Sequence, residues 1–375
     1  MNILIVAGEV SGDHHAAPVI TAIKKNRPDI EFWGLGGDHM ASAGCEVLQH
    51  VKDLSVTGFV EVIKHLSFFR SVMAELVEES FQRQPVAALL IDYPGFNLRL
   101  GLRLKAKGIP VYYYISPQVW AWKKGRVKTM RRFIRHMFVI FPFEESFYSE
   151  HDIPVSFVGH PIVEKDFILP DKDAFFDSVG LDKNHEMIAI LPGSRRNELE
   201  RLVPPLAASI RQLRQKHPEL QFCVASLSSL DASLYDVLSK IPGVHLVQDD
   251  PYSVSLHADA AIVASGTASL ETAYLGTPLI VVYKISYFSY LIGKMLIHVD
   301  YLAMPNLILG ERAVPELIQG QVRPRFIVPQ VELILSDSTH RSALTAKLER
   351  LRGLLGNPGC ASRVSAEILK DLPGA

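Results

Sequence analysis

Short apolar, β-branched runs alternate with longer segments of helical spacing along almost the whole chain. The runs predict strands at Ile3–Ala7, Phe32–Leu35, Val86–Ile91, Val111–Ile115, Met137–Ile140 and Val155–Val158. After a break they resume at Met187–Leu191, Phe222–Ala225, His245–Val247, Ala260–Val263 and Leu279–Tyr283. Several runs are continuously apolar rather than alternating, as strands read when helices cover both faces of a parallel sheet. The segments between them, such as Asp13–Lys25 and Glu198–Lys216, have helical spacing and capping residues. The polar stretch Lys165–Glu186, which contains Pro170, reads as a linker with a short helix. The pattern therefore predicts two α/β halves of parallel sheet facing a cleft, one over residues 1–165 and one over 166–344. Thr339–Leu372 is helical with no strand, and the helices from about 345 to 375 are expected to return to the first half.

Composition narrows the function classes. The 375 residues are 48% hydrophobic and 21% charged with a net charge of −1, which argues against a dedicated nucleic-acid binder. Cys45, Cys223 and Cys360 lie far apart without metal spacing, which suits a reducing compartment. "MNILIVAGEVSGD" reads as a first strand rather than a signal peptide, because its apolar stretch stops at Ala7. The longest apolar candidate, "ISYFSYLIGKMLIHVDYLAMPNLIL", is broken by Lys294, His298 and Asp300. No transmembrane helix is expected, so any membrane contact is peripheral.

Five segments carry candidate chemistry. In "AGEVSGD", Gly8 and Gly12 are expected to form a tight turn, Ser11 to cap a helix and Glu9 to stand at the strand's carboxyl end. In "LLIDYPGFNLRL" a buried strand delivers Asp92 to the start of a helix. Partial desolvation there would raise its pKa and make it a better base, whereas a helix-capping aspartate is the structural alternative. "YISPQVWAWKKGRVKTMRR" places Trp120 and Trp122 before a run of Lys123, Lys124, Arg126, Lys128, Arg131 and Arg132, continued by Arg135. That run fits anionic lipid, a phosphorylated acceptor or a solvated face. In Gly58–Ser80 a broad apolar stripe of Phe59, Val62, Ile63, Leu66, Phe69, Val72 and Met73, widened by Phe68, is core-facing or an acyl-chain wall.

The fifth segment, "AILPGSRRNELERLVPPL", brings Gly193, Ser194 and Arg195 to a strand-to-helix turn, where a guanidinium beside free amides suits a diphosphate. Pairing of the arginine with Glu198 or Glu200 is the competing role. A second such turn, Ser265-Gly266-Thr267-Ala268-Ser269, follows the Ala260–Val263 run, with Glu271 placed for the hydroxyls of a ribose. Two phosphate turns and a ribose carboxylate describe a nucleotide diphosphate held by the second half. Asp171-Lys172-Asp173 has a metal-like Asp-x-Asp spacing, yet it follows Pro170 in the linker, and Asp249–Asp250 is a loop beside Pro251. Neither is expected to bind metal.

Together "VAGEVSGD", "IDYPGFN", "SPQVWAWKKGRV", "FPFEESFY", "GHP", "LPGSRRNELE", "ASGTASLE" and "MPNLILG" resemble the lipid-A-disaccharide synthase family, in order from Val6 to Gly310. The resemblance implies two Rossmann-like domains in a glycosyltransferase B fold: an N-terminal acceptor and membrane domain and a C-terminal UDP-donor domain. It implies metal-independent, inverting transfer of 2,3-diacylglucosamine from its UDP donor to the 6-hydroxyl of 2,3-diacylglucosamine 1-phosphate (lipid X). It also implies no cofactor and a cytoplasmic location, peripheral on the inner membrane. On matched positions Asp92 is the base and Glu9 its helper or rival; Arg195, Gly193 and Ser194 hold the diphosphate with Ser265, Gly266, Thr267 and Ala268; Glu271 takes the ribose. Ser11, His160, Asn306 and Glu316 are cleft residues of unassigned role, and Val62, Leu66, Phe68 and Phe69 are acyl or membrane contacts. His14 and His15 receive no role. A monomer and a homodimer with exchanged C-terminal helices both remain open. Rival readings are a UDP-N-acetylglucosamine 2-epimerase, a transferase with a polyprenyl-linked acceptor, and a nucleotide-sugar-binding protein without a base.

Overall fold

The computed structural model describes residues 1–54, 61–122, 125–296 and 299–372. The chain divides into two compact units, Met1–Lys165 joined by the segment from Leu355 onward, and Asp166–Leu354. Among the described residues the first unit holds β1 (Asn2–Ala7), β2 (Glu31–Gly36), β3 (Cys45–His50), β4 (Ala87–Ile91), β5 (Val111–Tyr114), β6 (Ile134–Val139) and β7 (Val155–Phe157). They form one sheet in the order β3-β2-β1-β4-β5-β6-β7, every pair parallel. The second unit holds β8 (Met187–Leu191), β9 (Gln221–Ser226), β10 (Val244–Gln248), β11 (Ala260–Ala264), β12 (Leu279–Tyr283) and β13 (Glu316–Ile318). Their order is β10-β9-β8-β11-β12-β13, again wholly parallel.

The continuously apolar runs are the central strands. Every residue of β4, β8 and β11 is buried, because helices cover both faces and leave no solvent side to alternate with. Two strands escape the pattern. β3, "CEVLQH", is a half-exposed edge, and β13 is three residues long, so neither presents a buried apolar run.

The return to the first unit begins at Leu355 rather than near 345. The helix Ser338–Leu354 stays with the second unit, where Leu344, Leu348 and Leu351 are buried. That stripe packs on the helices Thr267–Leu275, Met304–Leu309 and Pro324–Ser336 and is thereby used up. The next helix, Cys360–Lys370, buries Cys360, Val364 and Ile368 against the helix Val10–Asn26 of the first unit. Asp371 locks it there, accepting from Tyr112 Oη at 2.7 Å and from Arg135 Nε at 3.0 Å. Among the described residues no helix is long and apolar enough to cross a membrane.

Candidate active site

In an open parallel sheet the chain leaves adjacent strands in opposite directions at one point, and the carboxyl edge there is open to a ligand. The strand order puts that point between β1 and β4 in the first unit and between β8 and β11 in the second. The candidate catalytic residues follow the first pair, and the candidate donor turns follow the other.

In the first unit Ala7 pairs with Ile91, so the turn carrying Glu9 and the residue Asp92 lie side by side just beyond the sheet. Glu9 is exposed at the N-cap of the helix Val10–Asn26, with no side-chain cap. Burial pushes the Asp92 carboxyl up from 3.8 to about 6, with the charge of Glu9 as a second cause. Asp92 does not cap a helix: the N-cap of Pro94–Ala106 is Tyr93. The chain turns through two consecutive left-handed residues, Asp92 at φ 43° and Tyr93 at φ 48°. For residues with a Cβ this costs on the order of 1 kcal/mol each. It swings the Tyr93 ring across Gly8, where any side chain would collide with it.

Neither Gly8 nor Gly12 has a positive φ, so what each provides is space. Gly8 makes room for Tyr93, and Gly12 lets its helix approach the Ala7 side chain. Ser11 is not a cap either; it lies exposed inside the first turn. Asp13, two residues on, is the one that binds backbone: its buried carboxylate accepts from the amides of Gly37, His39 and Met40 at 2.7, 3.1 and 3.0 Å.

The helix Glu61–Arg83 brings aromatic surface to the site. Phe69 lies 6.4 Å from Tyr93 and 6.5 Å from Phe96 between ring centres, and Phe68 is 6.3 Å from Phe69. Both phenylalanines are half-buried against the core of the first unit. Phe59 and the side chains of Val62, Ile63 and Leu66 lie outside the described residues. His160 Nδ1 accepts the Ile162 amide at 3.0 Å. Burial first, then the charges of His15 and Lys165, hold its imidazole neutral at about 3.

In the second unit Val263 pairs with Leu191, which sets the two phosphate-type turns next to each other. The helices they open, at Arg196 and Thr267, have N-caps Arg195 and Gly266 without side-chain caps. Gly193 at φ 116° and Gly266 at φ 149° adopt backbone that side chains disfavour. The Arg195 side chain is 81% exposed, with Glu198 Oε1 3.4 Å from its Nη1. Glu198 also accepts the Ser194 amide at 3.0 Å. The local ion pair thus forms, but it leaves the guanidinium largely in solvent. Ser265 is partly buried and donates to the Leu302 carbonyl at 3.3 Å, while Gly266 and Thr267 are exposed. Glu271 Oε1 accepts the Tyr252 hydroxyl at 2.7 Å.

Asn306 and Glu316 are buried and bound to each other and to backbone. Glu316 Oε1 accepts from Asn306 Nδ2 at 2.8 Å and from the Ala303 amide at 3.0 Å. Asn306 Oδ1 accepts from the amides of Ala313 and Val314, both at 2.8 Å. The pair holds the loop whose Leu302 carbonyl receives Ser265. Asp171 caps the helix Lys172–Val179 through the Ala174 amide at 2.8 Å, and Asp250 caps Pro251–Leu256. Of the basic run, Arg131 pairs with Asp152 at 3.0 Å and Arg135 with Asp371, while Lys123 and Lys124 lie outside the described residues.

Three buried polar residues escape local pattern reading. Asn97 and Tyr113 bind the Asp92 carbonyl. Glu144 accepts Ser116 Oγ at 2.6 Å, Trp120 Nε1 at 3.1 Å and the Phe141 amide at 3.2 Å, so it anchors the "SPQVW" loop. Burial pushes its carboxyl up to about 7. The only available signal was a polar residue within an apolar stretch.

Two wholly parallel α/β units with candidate residues at both switch points define the glycosyltransferase B class of fold. Solved structures agree on the fold. UDP-GlcNAc 2-epimerase from Neisseria meningitidis superposes with a TM-score of 0.67 at 15% identity, over 99% of this chain and 100% of its own. The calicheamicin glycosyltransferase CalG4 gives 0.61 at 16%, over 100% and 98%. The sequence model of the lipid-A-disaccharide synthetase family matches residues 3–366, and the chain belongs to that family. The lipid-A-disaccharide synthase of Syntrophus aciditrophicus is 42% identical over 98% of this chain and 97% of its own length. That of Myxococcus xanthus is 39% identical over 99% and 97%. The chain is thus a glycosyltransferase of lipid A biosynthesis, and the epimerase reading is not favoured.

Proposed function

We propose that the enzyme transfers 2,3-diacylglucosamine from its UDP donor to the 6-hydroxyl of lipid X, giving the β-1,6-linked disaccharide 1-phosphate and UDP. Asp92 takes the proton of that hydroxyl as its oxygen attacks the anomeric carbon, and the bond from that carbon to the diphosphate breaks with its electron pair. Glu9 raises the basicity of Asp92 through its charge. The departing diphosphate is met by Arg195 and by the turns Gly193-Ser194 and Ser265-Gly266-Thr267-Ala268, so its charge is carried without a divalent ion. Glu271 takes the ribose. The observation that carries the reading is the Glu9–Asp92 pair at the β1/β4 switch point, with Asp92 titrating near 6. A base with that pKa is largely ionised at neutral pH yet still basic enough to accept a proton.

Both substrates are acylated, and the aromatic surface of Phe68 and Phe69 beside Tyr93 supports the assignment of acyl chains to that side of the first unit. The enzyme acts peripherally on a membrane from the cytoplasmic side; the membrane contacts expected at Val62 and Leu66 lie outside the described side chains. The test is turnover of the purified protein in detergent with both lipids, with and without EDTA, for the wild type and Asp92→Asn. Disaccharide formed in EDTA by the wild type, with turnover lost and UDP affinity kept in Asp92→Asn, supports the reading. UDP binding without product would point to a different acceptor.

A further inference from the structure

We propose that Asn97 and Tyr113 are positioning residues for Asp92: they clamp its carbonyl oxygen, hold the left-handed turn in place and so aim the carboxylate. The inference rests on the reading of Asp92 as the base. Neither residue belongs to a donor turn, and neither is placed to touch a substrate, since both are completely buried.

The clamp is made of three hydrogen bonds to two consecutive carbonyls. Tyr113 Oη donates to the Asp92 oxygen at 2.5 Å, Asn97 Nδ2 donates to the same oxygen at 2.8 Å, and Asn97 Nδ2 also reaches the Ile91 oxygen at 3.1 Å. Both donors stand on rigid elements. Tyr113 lies in β5, the neighbour of β4, and Asn97 lies in the first turn of Pro94–Ala106, where its own amide bonds the Tyr93 carbonyl at 3.0 Å.

The need for a clamp follows from the backbone. Asp92 and Tyr93 sit at φ 43° and 48°, a conformation that persists only where surrounding contacts hold it. The Asp92 amide bonds the Tyr114 carbonyl at 3.0 Å, which ties one side of the residue to the sheet, and its carbonyl on the other side is what Asn97 and Tyr113 hold. With both ends fixed, the Cα–Cβ bond has a single direction. The residue types fit this use. Asparagine is a weak helix former and costly to bury, and here its Nδ2 donates to the two carbonyls while its buried Oδ1 has no hydrogen-bond partner among the described residues. Tyr113 keeps its proton, because burial and the nearby Asp92 charge push its pKa well up, so it remains a donor at any working pH.

The experiment is a double-mutant cycle. Asn97→Ala and Tyr113→Phe are made in the wild type and in Asp92→Asn, and kcat, KM for each lipid, UDP affinity and the pH profile are measured. A misplacement of about 1 Å costs about 100-fold, so Asn97→Ala should lower kcat between about 10- and 100-fold, and Tyr113→Phe by less. KM values and UDP affinity should stay within about twofold, and the acid limb should move. In Asp92→Asn neither change should lower the residual rate by more than about twofold, because residues acting as a unit are not additive. Equal losses in both backgrounds, a raised KM with kcat kept, or an unchanged kcat and pH profile would each overturn the proposal. Asp92→Asn alone retaining turnover removes the base reading, and with it the clamp's purpose. If Asn97→Ala does not fold, Tyr113→Phe, which keeps the ring, decides by the same criteria.

Discussion

Neutralising Glu9 tests the electrostatics of the site most directly. Burial and the charge of Glu9 together lift the Asp92 carboxyl from 3.8 to about 6. A rise of about two pH units corresponds to about 3 kcal/mol in favour of the protonated form. Burial is the larger cause, so Glu9→Gln should lower the pKa by on the order of one unit or less and leave it above the ordinary value. The sign for activity follows from the state that works. Asp92 accepts a proton only as the carboxylate, so kcat/KM of the wild type rises as pH passes upward through about 6. In Glu9→Gln that limb should sit at lower pH, and the plateau should fall several-fold because a weaker base remains. The assay is UDP release from pH 4.5 to 8.5 at subsaturating donor, with UDP affinity measured in parallel. A limb that stays at its wild-type pH, or moves upward, refutes the coupling. Loss of turnover by about 1000-fold at every pH would instead make Glu9 the base, and Asp92→Asn would then retain activity.

Three further outcomes are expected. Arg195→Ala should weaken UDP binding by about 10- to 100-fold, the worth of a charge-assisted hydrogen bond to phosphate, without moving Tm; titration calorimetry and a thermal melt separate the two. Gly8→Ala puts a methyl group into the Tyr93 ring, so it should destabilise the first unit by about 1–3 kcal/mol in a denaturant melt and lower kcat through Asp92. Glu144 has a folded pKa raised from 4.5 to about 7, so the stability it adds is full below 4.5 and is lost as pH rises through 7, about 3 kcal/mol in all. Glu144→Gln should cost about 1–2 kcal/mol through the Phe141 amide it can no longer satisfy, and should flatten stability against pH between 5 and 8.

What the linear chain determined was local. The continuous apolar runs of β4, β8 and β11 are visible because each central strand needs an apolar side chain on both faces, whatever its partners. The same runs locate the residues that leave them, so Asp92 and the turns at Gly193 and Gly266 could be assigned as strand ends. The ordered motifs from Val6 to Gly310 do more, because together they carry the family resemblance without any geometry.

Tertiary structure decided everything that depends on which distant segments meet. Nothing local shows that β1 lies beside β4, which brings Glu9 against Asp92, or that β8 lies beside β11. The left-handed pair Asp92–Tyr93 is invisible to residue preference, because its cost is balanced by Asn97 and Tyr113, one of them on another strand. Asn306 and Glu316 read as cleft residues of unassigned role, and only the fold shows that they bind each other and the backbone of the 302–303 and 313–314 segments. The C-terminal helices share one helical pattern, yet the first packs on the second unit and the next on the first. An apolar run records that its positions will be buried, since removing apolar surface from water is favourable whatever covers it. Which surface does the burying is set by contacts between segments far apart in the chain, and those exist only once it has folded.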